Sequence, residues 1–268
     1  MKCKTIIFKK TANIATITLN RPQKYNAINA DMLSELLWSI DEVNQDDEIR
    51  VLIITGKGQA FCTGADISIF ENLIKDKSWE MQPLKYKARF AETWYAFILQ
   101  FCNIAKPVIA AVNGVAAGGG LVLAAAADIR IASVNAGFSQ LFARRGLPDG
   151  GSTFFLPKMV GIGKACELAF TGDIIDAKEA ERIGLVNKVV PDEMLHKTAI
   201  DLAENIANGP PITLQLIKKA LYRGLVATDL ASHVEYEFNS LLIGIANEDF
   251  KEGVRSFLEK RAPKFKGR

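Results

Sequence analysis

The stretch K-P-V-I-A-A-V-N-G-V-A-A-G-G-G-L, residues 106–121, carries the strongest indication of the fold. Its apolar run at 107–112, rich in Val, Ile and Ala, predicts a buried strand. Asn113-Gly114 breaks that strand, and the glycines at 118–120 lead into a segment, 121–127, that should be helical. N–H groups at the start of a helix favour developing negative charge. The same residues also fit a tight strand–helix packing corner, and they match neither a P-loop nor a dinucleotide-binding fingerprint.

Similar short apolar runs recur through the first 191 residues. They lie at residues 5–8, 14–20, 51–55, 107–112, 128–132 and 185–190. Between the second and third runs, residues 31–43 carry apolar side chains at helical spacing. Strands that alternate with helices predict a mostly parallel sheet with crossover helices, and therefore an α/β fold.

The pattern becomes helical from about residue 192. Helices are predicted over residues 193–208, 211–225, 229–246 and 250–261. Gly209-Pro210-Pro211 ends the first of them and starts the second. We therefore divide the chain into residues 1–191, which would form the α/β core, and residues 192–268, whose apolar surface should pack on that core or on a neighbouring subunit.

The composition predicts an ordinary soluble protein. The chain has 268 residues, of which 49% are hydrophobic and 24% charged, and a formal net charge of +3, too small to indicate a nucleic-acid partner. Four widely spaced cysteines form no C-x-x-C pair, so neither a metal site nor dithiol chemistry is expected. No uncharged apolar stretch reaches membrane-spanning length. We expect a cytoplasmic location with reduced thiols and no membrane partner.

Three further stretches carry candidate chemistry. Residues 19–29, L-N-R-P-Q-K-Y-N-A-I-N, join a strand to a helix through a polar loop. Residues 56–67, G-K-G-Q-A-F-C-T-G-A-D-I, follow a strand, and their small side chains at 63–65 allow a ligand to approach the backbone. Residues 144–153, R-R-G-L-P-D-G-G-S-T, contain Pro-Asp-Gly, which is common in turns but could also present Asp149 as a catalytic carboxylate. Each stretch alone also fits an ordinary loop.

Taken together and in this order, the four stretches resemble the crotonase (enoyl-CoA hydratase/isomerase) superfamily along nearly the whole chain. The segment F-L-E-K-R-A-P-K-F, residues 257–265, is similar to the closing helix of that family. The resemblance implies a spiral of β-β-α units followed by a helical region that builds trimers, often paired into hexamers. It also implies an acyl-coenzyme-A thioester as the substrate, with no separate cofactor.

The resemblance further implies roles for individual residues. The backbone N–H groups of Ala65 and Gly119 should form an oxyanion hole for the thioester carbonyl. The implied coenzyme A contacts are Lys24, Tyr25 and Ala27 near the phosphates and pantetheine, Thr63, Asp66 and Ile67 near the adenine, and Phe257 and Lys260, which would close over the adenine from an adjacent subunit. Without the resemblance, Lys24 and Lys260 fit exposed surface lysines.

The resemblance also bears on which reaction the chain would catalyse. Hydratases that resemble this chain use two glutamates, and Val122 and Phe142 stand at those positions, where neither can transfer a proton. Asp149 matches the lone carboxylate of members that shift a double bond, which predicts an enoyl-CoA isomerase with Asp149 as the base. We expect Val122 and Phe142, with Phe90 and Trp94 from the aromatic-rich segment 70–100, to line the acyl pocket. Their apolar surface should raise the pKa of Asp149.

Other functions remain open at this point. A hydratase with an unusual acid pattern would need a second acid. A thioester hydrolase or dehalogenase could use Asp149 as a nucleophile, but the usual histidine base would have to be His196 or His233, both in the helical C-terminal region. A decarboxylase needs little beyond the oxyanion hole. A non-catalytic acyl-CoA-binding protein would keep the hole and use Asp149 only as a turn residue.

Overall fold

The structure is a computed structural model that describes residues 3–75 and 91–267. The strands are β1 (Ile6–Thr11), β2 (Ile14–Leu19), β3 (Val51–Gly56), β4 (Ala60–Cys62), β5 (Val108–Val112), β6 (Val115–Ala117), β7 (Ile129–Ser133), β8 (Gly137–Ser139), β9 (Ile175–Asp176) and β10 (Lys188–Val190). The helices are α1 (Ala30–Gln45), α2 (Ile67–Lys75), α3 (Ala96–Cys102), α4 (Gly119–Ala126), α5 (Ser152–Thr171), α6 (Ala177–Arg182), α7 (Asp192–Ala207), α8 (Pro211–Gly224), α9 (Leu230–Ile245) and α10 (Glu248–Leu258). Shorter helical turns lie at Pro22–Lys24, Ala91–Tyr95 and Ala143–Arg145.

The strands form two sheets. The larger has the order β1-β2-β3-β5-β7-β10, with β1 antiparallel to β2 and the other pairs parallel. The smaller has the order β4-β6-β8-β9, and its first three strands are parallel. Each apolar run predicted as a strand lies in the larger sheet, which confirms the α/β class. The strands of the smaller sheet were not predicted, because two or three residues are too few to show an alternating pattern.

The chain winds as a spiral of β-β-α units. Each of β3, β5 and β7 is followed directly by a short strand of the smaller sheet and then by helical structure. This confirms the architecture that the resemblance implied. Because β4, β6 and β8 are neighbouring parallel strands, their carboxyl ends lie side by side, and the three loops that follow them meet at one edge of the smaller sheet.

The larger sheet is buried on both faces. Leu52 and Ile54 point into the main core, which also contains Leu36 of α1. Val51 and Ile53 alternate with them and pack against α7 on the opposite face. Burial on both faces explains why these strands are continuous apolar runs in the sequence.

The helical C-terminal part contains two kinds of helix. Helix α7 buries Leu195, Ala199, Ala203 and Ala207 against the larger sheet. Helices α8 and α9 bury no residue fully, and large apolar side chains such as Phe238 are exposed on them. Within the described ranges, no helix combines the length and apolarity that crossing a bilayer requires.

Candidate active site

The loops that follow β4 and β6 approach each other closely. Gly64 has a φ of +88°, and a Cβ atom at that position would lie 2.8 Å from the backbone nitrogen of Gly119. A Cβ atom at Gly120 would lie only 1.9 Å from the carbonyl oxygen of Cys62. Glycine is therefore required at both positions, because a side chain would push the two loops apart.

This approach places one residue of each loop, Ala65 and Gly119, beside the same cavity. Ile28 donates to the carbonyl of Gly64 (2.7 Å) and accepts from the N–H of Asp66 (2.9 Å), so the intervening N–H of Ala65 takes no part in that bridge. Gly119 is the first residue of α4, where an N–H group has no partner within the helix. The positive end of the helix dipole lies at the same place. Ala65 and Gly119 both line a cavity of about 640 Å³.

Asp149 lines the same cavity and belongs to the acid turn, which we define as residues 147–151. Of the described residues in the cavity lining, it is the only one with an ionisable side chain. The remaining lining residues are Ile28, Asn29, Ala30, Leu33, Ile69, Phe70, Asn72, Thr93, Trp94, Phe142, Leu147, Pro148 and Gly150.

The carboxylate of Asp149 is extensively hydrogen-bonded. Its Oδ2 accepts from the backbone N–H groups of Gly151 and Thr153, both at 2.8 Å, at the start of α5. Its Oδ1 accepts from the Ser152 hydroxyl at 2.6 Å and from Gln140 Nε2 at 3.3 Å. Burial alone would raise the pKa of Asp149, but these four hydrogen bonds outweigh it and hold the pKa below the ordinary value. The prediction of a raised pKa was therefore wrong.

Sequence analysis missed Ser152 and Gln140. Ser152 is fully buried, and Gln140 lies just after β8. The position of Ser152 at a helix start, three residues after an acid, was an available signal. Gln140 had none, because only the fold brings it to the acid turn.

Two aromatic side chains form the cavity wall next to Asp149. The indole N–H of Trp94 donates to the carbonyl of Gly150 at 2.9 Å, and its ring lies close to Gly119. Phe142 lies against Gly150. Their contact with an acyl group stays a prediction, but both line the cavity that contains Asp149. Val122 does not: it is fully buried behind the wall and is absent from the cavity lining.

Phe90, which was also predicted to line the acyl pocket, lies outside the described residues.

The segments proposed to bind coenzyme A adjoin one another. The carbonyl of Tyr25 accepts from the N–H of Thr63 at 3.2 Å and from its hydroxyl at 3.3 Å. Lys24 and Ile67 are exposed, whereas Ala27 is buried.

The carboxylate of Asp66 is committed to the protein itself. It pairs with the guanidinium of Arg21 at 2.8 Å and accepts from the N–H and hydroxyl of Ser68. Although burial opposes ionisation, these contacts hold the pKa of Asp66 below its ordinary value. An adenine contact by Asp66 would therefore have to use its backbone.

Phe257 and Lys260 lie at the end of α10, apart from these segments. Phe257 is 82% exposed and borders a second, apolar cavity lined by α8, α9 and α10. The assignment of both residues to a neighbouring subunit's coenzyme A site stays a prediction.

Neither histidine lines the cavity that contains Asp149. His233 pairs with Glu237 on α9 at 3.3 Å, and His196 borders a groove beside β1 and β2. In the described part of the chain, no cluster of three His, Cys, Asp or Glu side chains could hold a metal ion.

Comparison with known proteins agrees with this geometry. The family model for enoyl-CoA hydratase/isomerase matches residues 9–268. The chain is 40% identical to the crotonyl-CoA hydratase of Syntrophomonas wolfei, with 99% of each chain covered. It is 37% identical to the 1,2-epoxyphenylacetyl-CoA isomerase of Escherichia coli, with 95% of each covered. The crystal structure of an enoyl-CoA hydratase from Bacillus anthracis superposes with a TM-score of 0.89 at 34% identity, covering 99% of this chain and 100% of that one. The chain therefore belongs to the enoyl-CoA hydratase/isomerase family.

Proposed function

We propose that this chain is an enoyl-CoA isomerase that moves a carbon–carbon double bond with Asp149 as its base. One observation carries the proposal. Asp149 is the only ionisable side chain among the described residues that line the cavity reached by the amides of Ala65 and Gly119.

The proposed reaction needs one proton carrier and one anion site. The Asp149 carboxylate removes a proton from one carbon of the acyl chain, and the electron pair of the broken C–H bond delocalises into a dienolate. The negative charge on the thioester oxygen is stabilised by the N–H groups of Ala65 and Gly119. The Asp149 carboxyl group then returns the proton to another carbon, which completes the shift of the double bond. General-base catalysis of this kind contributes roughly 10²–10⁴-fold.

The lowered pKa of Asp149 is compatible with this role. It keeps the side chain ionised at neutral pH and therefore ready to accept a proton. It also makes Asp149 a weak base, so the acidity of the substrate must come largely from stabilisation of the oxyanion. Trp94 and Phe142 supply apolar walls beside the carboxylate, where they would limit the access of water to the intermediate.

Hydration of an enoyl-CoA is the alternative. The identities of 40% and 38% to proteins named as hydratases and 37% to one named as an isomerase are too similar to favour either reaction. The sequence favours isomerisation, because Val122 and Phe142 stand where the resemblance implies the two glutamates of a hydratase, and Asp149 is the only ionisable side chain among the described residues of the cavity lining. A hydratase would need a second acid beside Asp149.

Product analysis separates the two reactions. The purified protein is incubated separately with 3-enoyl-CoA and 2-enoyl-CoA esters of several chain lengths, and the products are identified by mass spectrometry and NMR. We expect double-bond migration with no gain of mass, and a loss of roughly 10²–10⁴-fold in kcat for Asp149→Asn. Asparagine keeps an oxygen that can cap α5, so this variant should fold. A mass gain of one water in the main product, or full isomerase activity in Asp149→Asn, would overturn the proposal.

We also propose that the chain works as a homotrimer or a pair of trimers in the cytoplasm. The exposed apolar side chains of α8, α9 and α10 support an assembly, because monomeric proteins rarely expose so large an apolar surface. In a trimer, Phe257 and Lys260 could reach the coenzyme A site of a neighbour. Light scattering of the purified protein tests the assembly, and a monomer at micromolar concentration would contradict it.

A further inference from the structure

We propose that Ser152 and Gln140 are positioning residues that orient Asp149 and set the proton affinity of its Oδ1 atom, the oxygen that carries the transferred proton. This inference rests on the role proposed above for Asp149.

The two carboxylate oxygens of Asp149 have different partners. Oδ2 accepts two backbone N–H groups at 2.8 Å, those of Gly151 and Thr153, and is thereby part of the start of α5. Oδ1 is held only by side chains, and one of its two hydrogen bonds, from Gln140, is long at 3.3 Å. Each oxygen accepts two hydrogen bonds, but a proton on Oδ2 would displace backbone N–H groups at the start of α5, whereas a proton on Oδ1 would displace only side-chain donors.

Gln140, Ser152 and Asp149 form a continuous chain of hydrogen bonds. Gln140 Nε2 donates to the Ser152 hydroxyl at 2.7 Å, and this hydroxyl donates to Asp149 Oδ1 at 2.6 Å. A donor that itself accepts a hydrogen bond is polarised and becomes a stronger donor. Ser152 therefore stabilises the negative charge on Oδ1, and Gln140 increases that effect.

Gln140 has a feature that folding alone does not explain. Its side chain is only 3% exposed, and its Oε1 atom has no hydrogen-bond partner in the described part of the chain. A buried acceptor without a partner lowers stability, so an apolar side chain of similar shape would suit the fold equally well. The Nε2 group donates to both Ser152 and Asp149, and we infer that orienting these two side chains is the role of Gln140.

The charged groups near the acid turn do not account for the state of Asp149. The other described residues that line the cavity are uncharged. Arg144 and Arg145, on the helical turn before the acid turn, are exposed, and Arg144 pairs with Asp173. On α5, the exposed Lys158 donates to the carbonyl of Phe154.

Carboxyl NMR of the full-length protein tests the inference without requiring activity. The protein is labelled with ¹³C at the aspartate carboxyl groups, the Asp149 resonance is assigned with Asp149→Asn, and the signal is titrated in Ser152→Ala and Gln140→Met. We expect the pKa of Asp149 to rise by about one unit in Ser152→Ala and by less in Gln140→Met. The melting temperature of Gln140→Met should change little, because removal of the unpaired Oε1 atom offsets the loss of the two hydrogen bonds from Nε2.

Ser39→Ala is the matched control. Ser39 is also a fully buried serine on a helix, and its hydroxyl donates to the carbonyl of Leu36 at 2.7 Å, away from the acid turn. Ser39→Ala should therefore leave the pKa of Asp149 unchanged. An unchanged pKa in both Ser152→Ala and Gln140→Met would overturn the inference.

The pH dependence of kcat/KM distinguishes this outcome from failure of the proposed function. If the acid limb of Ser152→Ala moves upward together with the NMR pKa, both proposals stand. If the NMR pKa moves and the acid limb does not, Asp149 is not the base and the proposed function fails. If Asp149→Asn abolishes isomerisation and neither variant moves the pKa, only the positioning role fails.

Discussion

The two sides of the cavity are built in opposite ways. On one side, Ala65 and Gly119 line the cavity, and their N–H groups have no acceptors in the adjoining β-bridge and helix. On the other side, the carboxylate of Asp149 already accepts four hydrogen bonds. In the proposed mechanism, the first side stabilises added negative charge, whereas the second holds a negative charge that the protein has already stabilised.

Because of this difference, we expect the two sides to contribute unequally to the rate enhancement. A carboxylate with a lowered pKa is a weak base, so the larger part of the rate enhancement should come from the oxyanion side. Substitutions on the two sides should therefore have effects of different size and kind.

Among substitutions that leave Asp149 in place, the largest effect should come from crowding the oxyanion side. A Cβ atom at Gly119 would lie 3.2 Å from the ring of Trp94 and 3.4 Å from the Cα atom of Gly64, so Gly119→Val should push the two loops apart. We expect kcat to fall by about 10²–10³-fold, as when one oxyanion donor is lost. Steady-state kinetics measures this.

Gly163→Ala is the control, because a Cβ atom there meets no neighbour within 4 Å. Equal kcat values for Gly119→Val and the wild type would show that the amide of Gly119 does not contact the reacting group.

A second large effect should appear in the free energy of unfolding when a buried ion pair beside Ala65 is broken. Arg21 pairs with Asp66 at 2.8 Å, with both side chains mostly buried. Arg21→Met would leave the Asp66 carboxylate buried without its partner and should lower the free energy of unfolding by about 3 kcal/mol. Chemical denaturation measures this loss.

The exposed pair of Arg182 and Glu179 is the natural comparison, and Arg182→Met should barely change stability. Similar losses in the two variants would mean that burial of the Arg21–Asp66 pair has no importance.

A smaller effect should follow from loosening the link between the two sides. Trp94 contacts Gly119 with its ring and binds the carbonyl of Gly150 through its indole N–H at 2.9 Å. Trp94→Phe removes that hydrogen bond, worth about 1 kcal/mol, and should lower kcat roughly five- to tenfold with little change in KM. The exposed neighbour Tyr95 provides the control, since Tyr95→Phe should have wild-type kinetics. If Trp94→Phe changed only KM, Trp94 would contribute to substrate binding and not to the alignment of the two sides.

The smallest effect concerns pH. Because the folded-state pKa of Asp149 lies below its ordinary value, the base stays ionised as the pH falls from 8 to 5, and kcat/KM should change by less than about twofold from this group. The stabilising contribution of Asp149 is present above its unfolded-state pKa and is lost as the pH falls through the lowered folded-state pKa. A pH–rate profile with an acid limb between pH 5 and 7 would indicate a raised pKa instead.

The sequence by itself determined the strands of the larger sheet, the helices that follow them and the glycine-rich approach of the two loops. These features depend on local patterns: apolar runs buried on both faces, helical spacing, and glycines where a side chain would clash. The family resemblance extended this to the β-β-α spiral and to five residues that line the cavity, Ala65, Trp94, Gly119, Phe142 and Asp149, but not to Val122, which lies outside the lining.

Only the tertiary structure decided the electrostatic state of the acids. The lowered pKa of Asp149 depends on Gln140 from the end of β8 and on the N–H groups at the start of α5, and the engagement of Asp66 depends on Arg21, 45 residues earlier in the chain. The physical reason is that a pKa responds to every dipole and charge within a few ångströms, whichever part of the chain supplies it. The donors at residues 151–153 follow Asp149 directly in the chain, but Gln140 beside Asp149 and Arg21 beside Asp66 come that close only in the folded protein, and no local pattern records their contacts.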